Sequence, residues 1–351
     1  MNLKADFKKI KEQLEQSQNP IFFYDNDSDG LCSFLLLRRW IGRGVGVAIR
    51  SYPEINISYA RKIDEYKADC SFILDKPFID ISFVKEIEKK AIPIVWIDHH
   101  KTETCNLNDS KDLYFFNWAE KYGEEKPVSY WTHKISEKKE DIWIALMGCI
   151  ADHYLPEFVN DFIKEYPDLW GDVKTPFDAY FKTEIGKISM CLNFGLKDST
   201  SNINRLQNFL INCKSPRDVL AELKENESFR KKCNEIKKKY ERLVEEASKC
   251  IKNNLLFFEY SGEISMSADI SNKLQYLYPE KYVVVAYKKG VMANLSLRGK
   301  NVKKIFLDVL KNFDKATGGG HDDAVGGRIK TEDLNKFKEE LENKIQNKKH
   351  I

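Results

Sequence analysis

Apolar residues in the N-terminal part of the chain come in short runs that alternate with segments of helical periodicity. The runs predict four strands, NPIFFYD (19–25), GVGVAIRSY (44–52), ADCSFILD (68–75) and IPIVWID (92–98). The segments between them predict three helices, GLCSFLLLRRWIG (30–42), SYARKIDEYK (58–67) and DISFVKEIEKK (80–90). Short apolar runs with β-branched residues, separated by amphipathic helices, indicate βαβ units and a mostly parallel sheet.

Three of the predicted strands end in an aspartate, namely Asp25, Asp75 and Asp98. In open α/β sheets, ligands bind outside the carboxyl ends of the strands. We therefore expect the three carboxylates to converge on one edge of the predicted sheet.

A long helical region is predicted after the sheet. The strongly apolar stretch EDIWIALMGCIADHY (140–154) predicts a helix that ends near Asp152, and residues 156–212 are predicted to be helical and irregular. From Phe229 to Cys250, apolar side chains recur at steps of three and four and are flanked by lysine and glutamate. We interpret this narrow stripe as a connector helix, because the pattern is too short for a long coiled coil.

A second α/β pattern follows toward the C-terminus. It predicts a strand LLFFEYSG (255–262), a helix SADISNKLQYLYPE (267–280), a hairpin KYVVVAYKKGVMANLSLRG (281–299), a helix NVKKIFLDVLKNF (301–313), a glycine-rich loop and a closing helix TEDLNKFKEELENKIQ (331–346). The hairpin is expected to turn at Lys289 and Gly290. We therefore predict a catalytic domain with a helical extension over residues 1–212, a helical connector over 213–252 and a smaller C-terminal α/β domain over 253–351.

Composition narrows the class of protein. The chain of 351 residues carries 57 basic and 54 acidic residues, so a nucleic-acid surface is allowed but would need local clustering of charge. No apolar run approaches the roughly 18 residues of a membrane span. The N-terminal stretch MNLKADFKKIKEQLEQ has no apolar signal core. The eight cysteines are scattered without a CxxC pair, which predicts reduced thiols in a cytoplasmic protein and argues against a zinc ribbon or a disulfide framework. Without an apolar run or signal core, no membrane partner is expected.

The segment IFFYDNDSDG places Asp25, Asp27 and Asp29 at alternating positions directly after an apolar run. One aspartate in such a place would usually cap the following helix. Three of them repel one another, and burial increases the cost of that repulsion. The cluster therefore favours a cation site, because hard divalent ions such as Mn²⁺ and Mg²⁺ prefer oxygen ligands.

Two imidazoles follow another predicted strand, in VWIDHHK, where Asp98, His99 and His100 are consecutive. A lone histidine is more often a surface or core residue than a ligand. Adjacent histidines after an apolar strand and an aspartate instead place two nitrogens on the edge that holds the other aspartates. Imidazole added to carboxylates favours Mn²⁺ over Mg²⁺. The combination predicts a phosphoesterase site in which two ions, roughly 3.5–4 Å apart, promote in-line displacement at phosphorus.

These motifs resemble a known family in their order and spacing. DNDSDG, the aspartate of FILD, IDHH and the aspartate of MGCIAD resemble the four motifs of the DHH phosphoesterases. ATGGGHDDAVGG resembles the GGGH signature of the DHH-associated C-terminal domain, and SLRG around Arg298 resembles the phosphate-contacting serine–arginine strand of that domain. The resemblance covers about residues 20–330. Within the family, the chain is most similar to archaeal RecJ-like single-strand nucleases.

The resemblance implies a set of metal ligands in this chain. The first ion would be bound by Asp27 and Asp75, with Asp25 helping. The ligands of the second ion would be Asp29, Asp75, His99 and Asp152. Asp75 would therefore bridge the two ions, which are expected to be Mn²⁺, with Mg²⁺ as the alternative.

The resemblance also implies roles for two residues around the ions. Asp98 would fix a histidine tautomer, as metal-bound imidazoles usually require. His100 would lie beside the phosphate as an electrophilic or proton-transfer group. The chain departs from many relatives at Asp25, where they have histidine. RecJ often has aspartate there, and the extra carboxylate is expected to harden the first site.

The C-terminal motif is expected to hold the substrate backbone. Consecutive glycines offer unobstructed backbone N–H groups as an anion nest, although a flexible glycine turn would have the same sequence. An arginine on a strand forms charge-assisted hydrogen bonds to phosphate. The residues that the resemblance assigns to this clamp are Ser296, Arg298, Gly318, Gly319, Gly320 and His321.

These inferences predict a Mn²⁺-dependent exonuclease that acts on single-stranded DNA or RNA in DNA repair or replication. A phosphodiesterase of short oligonucleotides or cyclic dinucleotides is the second prediction, because it would use the same metals and clamp. The third is an inactive replication-associated scaffold, which the loss of several acidic ligands would signal, whereas all of them are present. The expected partners are single-stranded nucleic acid, a helicase or replisome component, and a second copy of the chain in a homo-oligomer.

Overall fold

A computed structural model of the chain describes residues 3–50, 54–100 and 110–347. The chain divides into two compact units, Met1–Cys233 and Asn234–Ile351. The domain boundaries predicted from the sequence remain a prediction. Within the described ranges, every helix is either too short or too polar to span a bilayer.

The first unit has a parallel sheet as its central layer. The strands of the unit are β1 Pro20–Asp25, β2 Val45–Ile49, β3 Glu54–Ile55, β4 Cys70–Leu74, β5 Phe78–Ile79, β6 Ile94–Asp98 and β7 Leu113–Asn117. Five of them form one sheet in the order β2–β1–β4–β6–β7, and each neighbouring pair is parallel. The predicted parallel sheet is confirmed, whereas β7 and the separate β3–β5 pair were not predicted. Ser51 and Tyr52, the predicted end of the second strand, lie outside the described residues.

Helices cover both faces of this sheet. They are α1 Leu3–Gln16, α2 Ser28–Ile41, α3 Arg61–Tyr66, α4 Ile81–Glu88, α5 Trp118–Tyr122, α6 Val128–Ser136, α7 Ile142–Ala151, α8 Val159–Glu165, α9 Pro176–Lys182, α10 Glu184–Gly195, α11 Thr200–Asn212 and α12 Pro216–Leu220. Because side chains alternate along a strand, Phe22 and Tyr24 pack in the core with α2, α6 and α7. Ile21 and Phe23 pack in the opposite core with α3 and α4. The apolar run of β1 is therefore buried on both sides and ends at the sheet edge.

The turn from β1 to α2 depends on the sequence DNDSDG. Asp27 is the N-cap of α2, and its side chain accepts a hydrogen bond from the Gly30 N–H at 2.9 Å. A Cβ at Gly30 would come within 2.5 Å of the Asp25 carbonyl oxygen. The glycine therefore lets α2 begin directly against the end of β1, and this keeps the three aspartates of the motif at the sheet edge.

Helix α13, Glu227–Ser248, crosses the division between the units and confirms that the predicted apolar stripe is helical. The structure joins Cys191 of α10 to Cys233 of α13 by a disulfide. The prediction that the cysteines are reduced thiols is therefore wrong for this pair. The two cysteines are 42 residues apart and belong to different helices, so their spacing along the sequence gives no signal of their pairing.

The second unit is built on a mixed sheet. Its elements are β8 Ile251–Lys252, β9 Leu255–Ser261, α14 Ser267–Leu277, β10 Tyr282–Lys289, β11 Met292–Arg298, α15 Val302–Leu310, β12 Thr317–His321, β13 Ala324–Lys330 and α16 Leu334–Asn347. The strand order is β12–β13–β11–β10–β9–β8, with β9 and β10 parallel and the other neighbours antiparallel. The predicted hairpin is confirmed, but its turn lies one residue later than predicted: it consists of Gly290 and Val291, because Lys289 still pairs with Met292 in the ladder.

The predicted glycine-rich loop is wrong, because residues 317–321 form the edge strand β12. The glycines have a packing role here. A Cβ at Gly318 would lie 2.5 Å from the Phe306 ring, and one at Gly327 would lie 2.4 Å from it. The glycines therefore let β12 and β13 pack directly under α15, which a larger residue would prevent.

Candidate metal centre and substrate-binding face

The carboxyl end of the parallel sheet gathers the predicted acidic residues. Asp25 and Asp98 are the last residues of β1 and β6, and Asp75 directly follows β4. Because the strands are parallel neighbours, their carboxyl ends share one edge. Asp152 reaches the same place from the C-terminal end of α7.

His99 lies at the centre of this cluster. Its Nε2 is 3.3 Å from Asp75 Oδ1 and 3.3 Å from Asp152 Oδ2. Two sets of donor atoms each fall within 4.8 Å of one another, namely Asp75, His99 and His100, and Asp29, His99 and Asp152. Carboxylate oxygens and imidazole nitrogens at such separations are close enough to ligate a shared cation.

The environment of Asp75 supports that interpretation. Its φ of 59° is in the left-handed region, which aspartate tolerates better than most residues. Its N–H donates to the Ile97 carbonyl at 2.9 Å, which holds this bend to β6. Asp75 Oδ1 is buried and makes no hydrogen bond within the described residues, and its nearest charged neighbour is His99 Nε2 at 3.3 Å. A buried oxygen without a hydrogen bond is costly, so the donor set fits a divalent cation that would satisfy it.

Asp29 is held by the start of another helix. Its two carboxylate oxygens accept hydrogen bonds from the N–H groups of Val128 and Ser129, at 2.8 and 2.9 Å. The first backbone N–H groups of a helix stabilise a carboxylate in this way. Burial and the charge of Asp152 nevertheless raise the pKa of Asp29. The sequence motif predicted Asp29 as a ligand, but it gave no sign of this anchor, which is 99 residues away along the chain.

Crowding raises the pKa values of the other carboxylates, as the sequence led us to expect. Burial, Asp25 and Asp29 raise the pKa of Asp27 to about 7. Burial, Asp29 and Asp27 raise the pKa of Asp75 well above its usual range. In the absence of a cation, this cluster therefore holds protons that exposed aspartates would have lost.

Asp98 orients His100. Asp98 is fully buried, and its Oδ1 accepts a hydrogen bond from His100 Nδ1 at 2.9 Å. Burial lowers the pKa of His100, but the charge and hydrogen bond of Asp98 outweigh it and bring the pKa to about 9. Burial also lowers the pKa of His99, and the neighbouring carboxylates, Asp152 first, outweigh it and raise that pKa. The histidine that Asp98 contacts directly is therefore His100.

Asp25 and Asp27 have other partners in the structure. Asp25 Oδ1 lies 2.7 Å from the ammonium of Lys76, a side chain that is only 1% exposed. Asp27 caps α2, and neither aspartate belongs to the donor sets of the described residues. Lys76 was not among the residues predicted from the sequence. A lysine that directly follows an apolar run and Asp75 was the available signal, because a lysine in such a buried place needs an acidic partner.

The second unit brings most of the predicted clamp to one face of its sheet. Ser296 of β11 and Gly319 of β12 both pair with Gly326 of β13. Arg298 and His321 likewise both pair with one residue, Ala324. Directly paired residues point to the same face of a sheet, so the side chains of Ser296, Arg298 and His321 share one face with Gly319. Gly318 and Gly320 alternate to the opposite face.

Helix α14 supports this face. Ser296 Oγ donates to Ser267 Oγ at 3.0 Å, and Arg298 Nε donates to Asn272 Oδ1 at 2.6 Å. Burial lowers the pKa of Arg298 to about 10, so the guanidinium remains charged at neutral pH. A Cβ at Gly319 would meet no atom within 4 Å, so the strand is open there. Because β12 is extended, its N–H groups alternate in direction instead of converging in the anion nest predicted for a loop.

Comparison with known proteins identifies the fold of the chain but not a sequence family. No family model matches the chain, and no curated protein matches it. Several solved structures do match it. The DHH domain of a protein described as a member of a ribosomal-protein family has a TM-score of 0.70 at 14% identity, over 98% of this chain and 91% of that one.

Two enzymes of known structure share the same fold. RecJ from Thermus thermophilus, in complex with Mn²⁺, has a TM-score of 0.66 at 12% identity over 97% of this chain. The chain spans only about half, 54%, of that RecJ. The pGpG-specific phosphodiesterase PggH from Vibrio cholerae has a TM-score of 0.51 at 13% identity, over 94% of this chain and 99% of that one. The chain therefore has a RecJ-like DHH phosphoesterase fold.

Proposed function

We propose that the chain is a metal-dependent hydrolase of phosphodiester bonds that acts as an exonuclease on single-stranded DNA or RNA. The observation that supports this most is the convergence of donor atoms on His99, with Asp75 and Asp152 oxygens each 3.3 Å from its Nε2. The buried oxygen of Asp75, which makes no hydrogen bond within the described residues, supports the same interpretation, because a bound cation would compensate for its burial. The fold, shared with a RecJ that was solved with Mn²⁺, points to the same chemistry and the same ion.

Each half of the cluster would hold one of two Mn²⁺ ions, with Mg²⁺ as the alternative. The proposed ligands of one ion are Asp29, Asp75, His99 and Asp152, and those of the other are Asp25, Asp27 and Asp75. When bound, such ions act as Lewis acids and neutralise the charge that develops during in-line displacement. The chain contributes by fixing its carboxylates in advance: two backbone N–H groups hold Asp29, and the bend after β4 directs Asp75.

His100 is the proposed proton donor or electrophile beside the scissile phosphate. Its Nδ1 donates to Asp98, so Nε2 is the nitrogen that would meet the substrate. Without bound ions its pKa is about 9, chiefly because Asp98 outweighs the effect of burial, so the imidazole is then a cation at neutral pH. It would therefore hold a proton at Nε2 that can hydrogen-bond to a phosphoryl oxygen or pass to the leaving oxygen. Asp98 acts through His100 by setting its orientation and its charge.

The sheet face of the second unit that carries Ser296, Arg298, Gly319 and His321 is the proposed binding surface for the phosphate backbone. Arg298 supplies a fixed positive charge, and His321 stands on the same row of the sheet. The open strand at Gly319 gives a phosphate close access to the backbone. These groups suit a backbone whose sequence is not recognised, because phosphate contacts carry no base information.

Hydrolysis of short oligonucleotides or cyclic dinucleotides is the second candidate. The likeness to PggH favours it, since it extends over 99% of that phosphodiesterase. Both candidates use the same metal ligands and clamp, so the length of the preferred substrate distinguishes them. A cytoplasmic location, a role in DNA repair or replication, recruitment by a helicase or replisome component, and homo-oligomerisation stay predictions of the same proposal.

The decisive experiment follows cleavage of 5′- and 3′-labelled DNA and RNA single strands beside the dinucleotide pGpG, in Mn²⁺, Mg²⁺ or chelator. We expect Mn²⁺ to support stepwise removal of nucleotides from one end of a long strand, and chelation to abolish it. Asp75→Asn should be inactive, while Asp64→Asn, which removes an exposed carboxylate that pairs with Lys90, should remain active. Full activity in chelator with metal shown to be absent would refute the proposal, and selective cleavage of pGpG would favour the second candidate.

A further inference from the structure

Lys76 is a buried cation inside the candidate metal centre. Its side chain is 1% exposed, and its Nζ lies 2.7 Å from Asp25 Oδ1. Lysine is almost never buried without a partner. The residue directly follows Asp75, the carboxylate that would bridge two ions. A fixed positive charge of the protein therefore stands where the proposed first ion would bind.

The backbone at Lys76 is anchored. Its carbonyl accepts a hydrogen bond from the Trp96 indole N–H at 2.8 Å, and Trp96 belongs to the neighbouring strand β6. Asp25 is equally fixed, as the last residue of β1. The ion pair consequently links the end of β1 to the segment that directly follows the adjacent strand β4.

The two proposed ion positions differ in how many of their ligands are already engaged by other groups of the protein. The donor atoms of Asp29, His99 and Asp152 lie within 4.8 Å of one another, as a shared ligand requires. Asp25 is instead engaged by an ammonium, and one oxygen of Asp27 accepts the Gly30 N–H. An ion on the Asp25 side must approach the Lys76 charge or displace it from Asp25, and either event opposes binding.

We propose that Lys76 makes the two cation positions unequal. Mn²⁺ binds tightly to Asp29, His99 and Asp152, and the position beside Asp25 and Asp27 binds a second ion weakly because the lysine already neutralises Asp25. This inference rests on the metal centre of the proposed function. It makes Lys76 a positioning residue that sets metal occupancy, and it predicts an enzyme that is half-loaded at low Mn²⁺.

The test is a Mn²⁺ titration of the metal-free protein by calorimetry, with EPR to distinguish single ions from coupled pairs. The wild type should bind two ions whose dissociation constants differ at least about tenfold, or about 1.4 kcal/mol. Lys76→Met and Lys76→Gln, the second of which keeps a hydrogen-bond donor, should tighten the weaker ion by at least about tenfold and change the tighter ion less. Lys89→Met, at an exposed lysine paired with Glu86, is the matched control and should change neither.

A double-mutant cycle locates the effect at Asp25. Asp25→Asn should weaken the second ion more in the Lys76→Met background than in the wild type, because Asp25 is free to ligate only without the ammonium. Two ions of equal affinity in the wild type would overturn the inference, and that result does not depend on the folding of any variant. Lys76 variants that leave the ratio of the two constants within about twofold would overturn it as well. If the protein bound no Mn²⁺ at all, the proposed function would be overturned too. If cleavage depended on Mn²⁺ but the two ions bound with equal affinity, only the inference about Lys76 would be overturned.

Discussion

When divalent cations have been removed, the free energy of unfolding of the first unit should fall as the pH rises from about 6 to 8.5. The pKa of Asp27 is raised to about 7 and that of His100 to about 9. A group whose pKa is higher in the folded state stabilises the fold below its unfolded pKa, and it loses that contribution as the pH rises through the folded pKa. The raised pKa values of Asp29, Asp75 and His99 act in the same direction.

The magnitude follows from proton linkage. Each proton that the folded state binds in excess changes the free energy of unfolding by about 1.4 kcal/mol per pH unit. His100 holds such a proton from its usual pKa of 6.5 up to about 9. From pH 6.5 to 8.5, about 2 pH units, it alone would cost at most about 2.8 kcal/mol. Its side chain is 32% exposed, so solvent screening reduces this limit. For a unit of this size, 2 kcal/mol lowers the Tm by about 4–8 °C.

Tryptophan fluorescence is the appropriate assay, because all six tryptophans lie in the first unit. Protein dialysed against chelator is melted at several pH values with and without Mn²⁺. The metal-free Tm should fall with pH, and His100→Gln and Asp27→Asn should each make the fall shallower. Mn²⁺ should stabilise the protein more at high pH, because it binds deprotonated ligands. A metal-free Tm that is constant or rises from about pH 6 to 8.5 would refute the reasoning.

Three further predictions concern the bridging ligand, the clamp and the disulfide. Asp75→Asn should lower cleavage by at least about 10³-fold yet leave the metal-free Tm unchanged or higher, since it removes a crowded carboxylate and asparagine tolerates the left-handed φ of 59° at this position; retention of a tenth of the activity would contradict the assignment. Gly319→Val should weaken binding of single strands in a fluorescence-anisotropy titration without unfolding the second unit, because its Cβ meets nothing within 4 Å, whereas Gly318→Val should disturb the circular dichroism spectrum. Denatured, unreduced protein should titrate two thiols fewer than reduced protein, and Cys191→Ser with Cys233→Ser should lower the Tm; equal thiol counts would show that the bridge does not form.

The sheet and its acidic edge were predictable because both depend on local sequence. β1 and β6 are apolar runs that end at an aspartate, and β4 is directly followed by one; a parallel arrangement of such strands allows few alternatives for where those aspartates lie. The contact of Asp29 with Val128 was not predictable in this way. It depends on how α6 packs beside α2, and no periodic pattern relates residues 99 positions apart.

The GGGH segment shows how the same residues support two interpretations. A run of glycines predicts a loop when backbone freedom is its only role. In the structure, Gly318 is needed because Phe306 occupies the space of a side chain. That requirement arises from α15, an element whose position the sequence could not give. The shared face of Ser296, Arg298 and His321 also followed only from the register of three strands.

The three aspartates of DNDSDG look equivalent in the sequence, but the fold gives each a different partner. Asp25 meets the ammonium of Lys76, Asp27 caps its own helix, and Asp29 accepts two N–H groups from α6. The alternating motif brings three charges to one edge, while distant elements decide how much of each charge remains for a cation. An ammonium neutralises most of that charge, whereas backbone N–H groups orient a carboxylate without adding a compensating full charge. Substitution of the three aspartates should therefore give three different metal-binding defects, with the mildest at Asp25.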